Sequence, residues 1–304
     1  MANFRLNILG CGSATCTLRH LPSCQVLDIR DSLYMIDCGE GAQLQMRRMR
    51  LKFSRLNHIF ISHLHGDHVF GLPGLISTMA LLQKGGTLTV HIFKDGAEQF
   101  GRLLDYFCRD MPFEVKFNII GRSDDVVYEN DAIEVRTFPL FHRVPAVGFK
   151  FTEKPKLRHI KPEMVEFHGV PHYAMSALRR GEDFVKPDGT VVANEILTSP
   201  ADKCTSYAYC SDTVRNDRVA ESVRGVEWLY HEATYDSAFA AKAVARGHST
   251  SADAAEIAKL AGVKKLIIGH FSNQYVDDNI LLDDARRVFP STILANEGLQ
   301  IDLL

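Results

Sequence analysis

Short apolar runs alternate with amphipathic stretches along the chain, and their two periods separate strands from helices. "FRLNILGCGS" reads as a strand running into a glycine-rich turn, and "CQVLDIRDSLYMIDCGEG" as two strands around Arg30-Asp31-Ser32. "LNHIFISH", "LTVHIF", "FEVKFNII" and "AIEVRTFPLF" are further strands. "EGAQLQMRRMRL", "GLPGLISTMALLQ" and "EQFGRLLDYFCRD" have helical composition. The same alternation returns late in the chain. The strands there are "SYAYCSDT", "VEWLYHEAT", "KKLIIGHFS" and "STILANEG"; the helices are "SADAAEIAKLAG" and "DNILLDDARRVF". Ser249, Thr250 and Ser251 supply the cap for a helix over 252–261.

Between the two halves, 152–200 is polar, mixed in charge and broken by Pro155, Pro162, Pro171 and Pro187. "KPDGTV" in it is a turn signal between polar strand-like pieces. The pattern predicts a layered α/β domain over 1–304 with one inserted arm at 152–200. A length of 304 residues and 46% hydrophobic content allow a sizeable core.

Charge removes one simple reading. The net charge is -2, so a nucleic-acid binder would need a local basic patch. The seven cysteines, at 11, 16, 24, 38, 108, 204 and 210, include no Cys-x-x-Cys pair. That argues against a disulfide framework or a thiolate zinc site and fits a reducing cytoplasm. Neither a signal peptide nor a membrane span is read from the sequence.

The densest chemistry lies in "FISHLHGDHVFGLPG". His63 and His65 project to one side where a strand gives way to a loop, and Asp67 and His68 follow as a helix begins. Imidazole and carboxylate suit zinc, and also manganese or iron. One zinc needs three or four protein ligands, so the pairs 63/65 and 67/68 suggest two adjacent metals completed from elsewhere. His142, Asp212 and His270 each end a predicted strand, at the edge where α/β sites gather. Taken singly, each is more often a structural residue than a ligand.

The ordered set His63-x-His65-x-Asp67-His68, His142, Asp212, His270 resembles the metallo-β-lactamase superfamily. "SHLHGDHVFGLPGL", "CSDT", "HEAT" (231–234), "GHST" (247–250) and "GHFS" (269–272) resemble ribonuclease Z, the tRNA 3′-processing endonuclease, from about Leu6 to Gly298. The resemblance implies a four-layered αββα sandwich with a protruding, tRNA-binding arm. It implies two zinc ions per subunit, with manganese or iron as substitutes. One zinc is assigned to His63, His65 and His142, the other to Asp67, His68 and His270, with Asp212 bridging. The implied reaction is hydroxide attack on a phosphodiester, removing the 3′ trailer of precursor tRNA and leaving a 3′-hydroxyl. Asp67 would take the proton of the attacking water, and His248 would protonate the leaving fragment. Glu232 would orient His248, with His231 a lesser helper. Asp37 is proposed as a carboxylate orienting a ligand histidine, though a turn or cap role suits it equally. The resemblance further implies a homodimer; the cysteines and the lack of a long apolar run are what predict a cytoplasmic protein without a membrane span.

Two stretches could meet RNA. "RRMRLKFSR" carries five basic residues and no acid, including Arg47, Arg48, Arg50 and Lys52; the arm carries Arg179 and Arg180. A solvated face explains either run as well. Three positions depart from the family. "TLRHLPSCQ" stands where many relatives have Pro-x-Lys-x-Arg-Asn, the arm has no Gly-Pro pair, and Gln274 stands where an arginine is common. The competing readings are a di-zinc hydrolase of small phosphodiesters or sulfate esters and a non-enzymatic RNA-binding protein. No metal ligand of the family is missing, which counts against the last.

Overall fold

In the computed structural model, which describes residues 4–304, the first apolar runs become strands β1 (Phe4–Gly10), β2 (Cys24–Ile29), β3 (Ser32–Ile36), β4 (Leu56–Phe60), β5 (Thr87–Ile92) and β6 (Glu114–Ile119). Helices α1 (Ala42–Arg48), α2 (Gly66–Val69), α3 (Leu72–Leu81) and α4 (Lys94–Phe107) separate them. Strands β7 (Val126–Glu129), β8 (Ile133–Pro139) and β9 (Val147–Glu153) begin a second sheet. It continues after the arm with β14 (Ser206–Cys210), β15 (Trp228–Glu232), β16 (Lys265–Gly269) and β17 (Thr292–Leu294). The last strand, β18 (Gln300–Asp302), returns to the first sheet beside β1.

The strand orders are β18-β1-β2-β3-β4-β5-β6 and β17-β16-β15-β14-β9-β8-β7. Side-chain alternation explains why two sheets stack with helices outside. In β1, β3 and β4, Phe4, Leu6, Ile8, Tyr34, Ile36 and Phe60 join a core shared with Phe149, Phe151, Tyr207 and Tyr209 of the second sheet. The intervening Leu9, Leu33, Met35 and Ile59 face a second core with Met46, Leu72, Leu75 and Leu104 of the helices. Strands buried on both faces read as nearly continuous apolar runs, as "SLYMI" of β3 does. Helices α8 (Asp217–Ser222), α9 (Ala240–Arg246), α10 (Ser251–Ala261) and α11 (Asn279–Val288) accompany the second sheet. Thr250 caps α10 in a reciprocal capping box with Asp253. This is the four-layered αββα arrangement.

The inserted stretch forms a second unit, Glu153–Cys204. It ends later than 152–200 because its two legs stay paired: Lys156 Nζ donates to the Lys203 carbonyl at 3.0 Å, and Cys204 Sγ meets the Lys154 carbonyl at 3.4 Å. It is also more regular than its prolines suggest. Helices α5 (Pro162–Phe167), α6 (Met175–Arg179) and α7 (Asn194–Leu197) bury Val165, Leu178, Phe184 and Leu197 in a small core of their own. Strand β10 (His159–Ile160) pairs β13 (Thr198–Ser199), and the hairpin β11 (Phe184–Val185) and β12 (Val191–Val192) carries "KPDGTV". Among the described residues no helix is long and apolar enough to cross a membrane.

Candidate metal centre

Parallel pairing delivers strand ends to one edge. Cys210, His231 and Ile268 are in register across β14, β15 and β16, so Asp212, Glu232 and His270 emerge side by side. From the first sheet, β4 runs into His63 and His65, and α2 presents Asp67 and His68 one turn later. His142 follows β8. Asp37 and His270 hold left-handed backbone at φ 54° and 63°, a conformation costing roughly 1–2 kcal/mol for a residue with a side chain.

Seven side chains converge as two groups around Asp212. His65 Nδ1 lies 3.1 Å from His63 Nε2 and 3.2 Å from His142 Nε2. Asp212 Oδ2 stands 3.6 Å from His63 Nε2 and 3.7 Å from His142 Nε2. On the other side, Asp212 Oδ1 stands 3.2 Å from His270 Nε2 and 3.5 Å from His68 Nε2. Asp67 Oδ2 lies 3.5 Å from His270 Nε2 and 3.7 Å from His68 Nε2. In a tetrahedral site with bonds of about 2.0–2.1 Å, neighbouring ligand atoms stand roughly 3.3–3.4 Å apart, so both groups have the dimensions of a metal cage. His68 Nε2, His270 Nε2 and Asp212 Oδ1 are also buried with no hydrogen-bond partner. Orphaned polar atoms aimed at one point are costly unless something there accepts their lone pairs. The donor set therefore fits two divalent ions.

Hydrogen bonds behind the histidines set which nitrogen faces the cage. Asp37 is fully buried and accepts from His68 Nδ1 (2.7 Å), Ser62 Oγ (2.8 Å), Tyr209 Oη (2.8 Å) and the Ser62 amide (2.7 Å). Ser62 Oγ, committed as donor to Asp37, can accept from His63 Nδ1 at 3.1 Å. One carboxylate thus turns the Nε2 lone pairs of both His68 and His63 inward. Glu232 does the same across the site. It accepts from Thr234 Oγ1 at 2.7 Å, so that Thr234 can accept from His270 Nδ1 at 2.9 Å. Glu232 also accepts from His248 Nδ1 (3.0 Å) and from the amides of Thr213, Thr234 and Ser249. His142 Nδ1 donates to the Gly247 carbonyl at 2.6 Å.

These contacts govern charge. Burial disfavours the charged imidazole of His248, but Glu232 and Asp212 outweigh it and raise the pKa to about 9. Burial opposes charge on His68 too, and Asp37, Asp67 and Asp212 raise its pKa to about 10, so an ion binding at Nε2 must displace a proton there. Burial would raise the pKa of Asp67; His68 and His270 instead hold its carboxyl well below the usual range. Burial is the leading cause that keeps His63, His65 and His142 low and neutral, the form that binds metal.

Asp67, Asp212, His65, His248 and His270 open onto a cavity of about 720 Å³. His231 is not brought there: its Nδ1 bonds the Glu232 carbonyl, and strand alternation turns it away from Glu232. Arg47, Arg48, Arg50 and Lys52 are exposed but do not line this cavity; Arg47 lies over the Phe53 ring. In the arm Arg179 is exposed, and Arg180 pairs with Glu182 at 3.1 Å. Cys11, His20 and Glu297 also bring three ligand types together. There, however, each ligand atom has a partner: Cys11 Sγ meets the Ala295 carbonyl, and the two nitrogens of His20 lie 3.0 Å from Glu297 and 2.8 Å from Asp278. Thr234, Ser62 and Gly247 were missed in the sequence. Thr234 and Gly247 stood inside "HEAT" and "GHST", but a hydroxyl or a glycine there signals no metal chemistry by itself.

Residues 4–142 match a family model described as anti-Pycsar protein Apyc1. The solved structure of human tRNase Z, short form, superposes with a TM-score of 0.72 at 24% identity over 99% of each chain. The metallo-β-lactamase fold protein YhfI of Bacillus subtilis does so with a TM-score of 0.70 at 16% identity over 99% of each chain, which gives the αββα sandwich its fold name. A protein of Parabacteroides distasonis named Ribonuclease Z is 51% identical over the full length of both chains. With identity at that level and no part of either sequence left over, this chain belongs to the ribonuclease Z family.

Proposed function

We propose that the chain is a di-metal endoribonuclease that removes the 3′ trailer of precursor tRNA and leaves a 3′-hydroxyl on the tRNA. The observation that carries the proposal is Asp212, whose two carboxylate oxygens each face one histidine-rich group. His63, His65 and His142 would hold one ion; Asp67, His68 and His270 the other; Asp212 would bridge them. Zinc suits this set of imidazoles and carboxylates, and manganese or iron can use the same ligands. When bound, the pair supplies Lewis acidity at a phosphoryl oxygen and acidifies water towards a pKa of about 7.

The chain's own groups handle the protons. Asp67, ionised and with its Oδ2 anchored by the Ala14 amide at 2.7 Å, orients the attacking water, and its carboxylate takes the water's proton. As the P–O3′ bond breaks, the departing 3′ oxygen of the tRNA takes a proton from His248 Nε2, and the phosphate stays on the 5′ end of the trailer. Glu232 fixes the ring by holding Nδ1, the same base–orienter logic as in other acid–base pairs.

The unit 153–204 is proposed to grip tRNA, with Arg179 and Arg180 as candidate contacts; Arg47, Arg48, Arg50 and Lys52 are a second candidate surface. A homodimer is proposed as well. Leu44, Leu81 and Leu82, on or beside the adjacent helices α1 and α3, are exposed and offer apolar surface for it. Free cysteines throughout favour a cytoplasmic location. Metal-depleted protein should leave precursor tRNA intact and cleave it at the trailer junction once zinc or manganese is restored. Hydrolysis of bis(p-nitrophenyl) phosphate without any cleavage of precursor tRNA would instead assign the site to small diesters.

A further inference from the structure

One wall of the cavity carries charge that the hydrolytic chemistry does not use. Arg143, Lys242 and Arg246 all line it. Lys242 and Arg246 stand four residues apart on α9, which has no acidic residue, so they share a helix face. Arg143 follows His142, and its stem runs against Gly247: a Cβ built on that glycine would lie 3.2 Å from Arg143 Cγ and 2.8 Å from His142 Nδ1. Gly247, with φ 78°, thus joins the two cation-bearing segments beside the metal cage.

Among the described residues, none of the three cations has a carboxylate within ion-pair distance, although other arginines such as Arg55 and Arg215 do. Lys242 is nevertheless held. Its Nζ donates to Gln274 Oε1 at 2.7 Å and lies 4.9 Å from the Tyr235 ring and 5.6 Å from the Phe239 ring. All these partners are neutral, so the ammonium is positioned while its charge stays free for a ligand. Outside the metal cage, Glu40 is the one acid in the lining. The cavity also has an exposed aromatic surface. Phe70 is 71% exposed and lies over Gly66, where a Cβ would come within 2.3 Å of its ring.

We infer that Arg143, Lys242 and Arg246 form a phosphate clamp and Phe70 a base-stacking face, which together hold the single-stranded RNA flanking the scissile bond. Spaced cations that track a backbone beside an aromatic face are how single strands are bound without reading their sequence. This rests on the endonuclease reading above and names the groups that would seat its substrate.

The test measures binding and cleavage separately in the full-length, metal-loaded protein. Binding of a precursor tRNA with a short 3′ trailer is followed in a His248→Ala background, between about 50 and 200 mM salt. Lys242→Ala/Arg246→Ala is expected to weaken it roughly tenfold or more and to flatten the log–log salt dependence by about 1.4, near 0.7 for each single-strand phosphate that is no longer neutralised. Arg143→Ala should flatten it by about 0.7, and Lys242→Arg should restore the slope. Phe70→Ala should weaken binding with the slope intact, because stacking releases no counterions. With His248 present, kcat/KM for precursor tRNA should fall at least tenfold further than that for bis(p-nitrophenyl) phosphate. An unchanged salt slope in the double variant, or equal losses on both substrates, overturns the clamp. Loss of slope in a protein that never cleaves precursor tRNA upholds the clamp and defeats the endonuclease reading instead.

Discussion

Replacing Asp37 by asparagine alters one buried atom and should empty part of a metal site it never touches. The carboxylate accepts four hydrogen bonds, from His68 Nδ1, Ser62 Oγ, Tyr209 Oη and the Ser62 amide. Alanine would leave all four donors buried and unpaired, at about 1–3 kcal/mol each. The sum, at least about 4 kcal/mol, is a large part of a typical total of 5–15 kcal/mol, so that variant tests folding more than function. Asparagine keeps the shape and one acceptor oxygen, facing the Ser62 amide. Its NH₂ then meets His68 Nδ1, which must give up its proton and accept. The proton moves to Nε2, the atom 3.5 Å from Asp212 Oδ1, and the lone pair that faced the cage is gone. Ser62, no longer committed as donor to this oxygen, also frees His63. Losing such an orienting partner typically costs about 10–100-fold in metal affinity or activity. The assay is zinc affinity by chelator competition, read with circular dichroism to show the variant folded. A folded Asp37→Asn that binds zinc and cleaves RNA within about threefold of wild type would refute the tautomer argument.

Thr234→Val removes the hydroxyl between Glu232 and His270 while keeping the volume; roughly tenfold weaker binding of one of two metals is expected, seen as a biphasic zinc titration. His20 offers a pH test. Hydrogen bonds to Asp278 and then Glu297 raise its pKa from 6.5 to about 9. A raised folded-state pKa stabilises fully below about pH 6.5 and loses that contribution as pH rises through 9, at most about 3 kcal/mol at 1.36 kcal/mol per unit. The stability gap between wild type and His20→Gln, measured by urea unfolding, should therefore narrow from pH 6.5 to pH 9; a constant gap would contradict the ion-pair account. Thr152 and Ser206 are paired in neighbouring antiparallel strands, so a short Asn-Gly turn can replace 153–204. That deletion should lower kcat/KM for precursor tRNA at least tenfold more than for a small diester, and equal losses would remove the arm from RNA binding.

Much of the fold was legible because its strands are buried on both faces and so stand out as apolar runs. β9 and β18 escaped notice. "VGFKFTE" and "QID" are short or interrupted, and their pairing partners lie far away in sequence. The arm misled for a related reason. Its helices of four to six residues are too short to show a period, so Val165, Leu178, Phe184 and Leu197 look scattered until the chain closes on them. In the site, four ligand-type residues crowded between His63 and His68 are conspicuous at any reading. The residues behind them are not. Ser62 and Thr234 matter through where one hydroxyl proton points, and no residue type announces that. Arg143, Lys242 and Arg246 acquire a shared meaning only once Gly247 brings their segments together.

The proposal that Asp212 joins two metal ions in one chain is tested most directly by counting the metal. Zinc titrated into metal-depleted protein, with bound metal measured after gel filtration and precursor-tRNA cleavage followed in the same samples, should saturate at two ions per chain. Cleavage should rise with the second ion, and Asp212→Ala should hold at most one. Saturation at a single ion, or full cleavage by metal-free protein in excess chelator, would contradict the account.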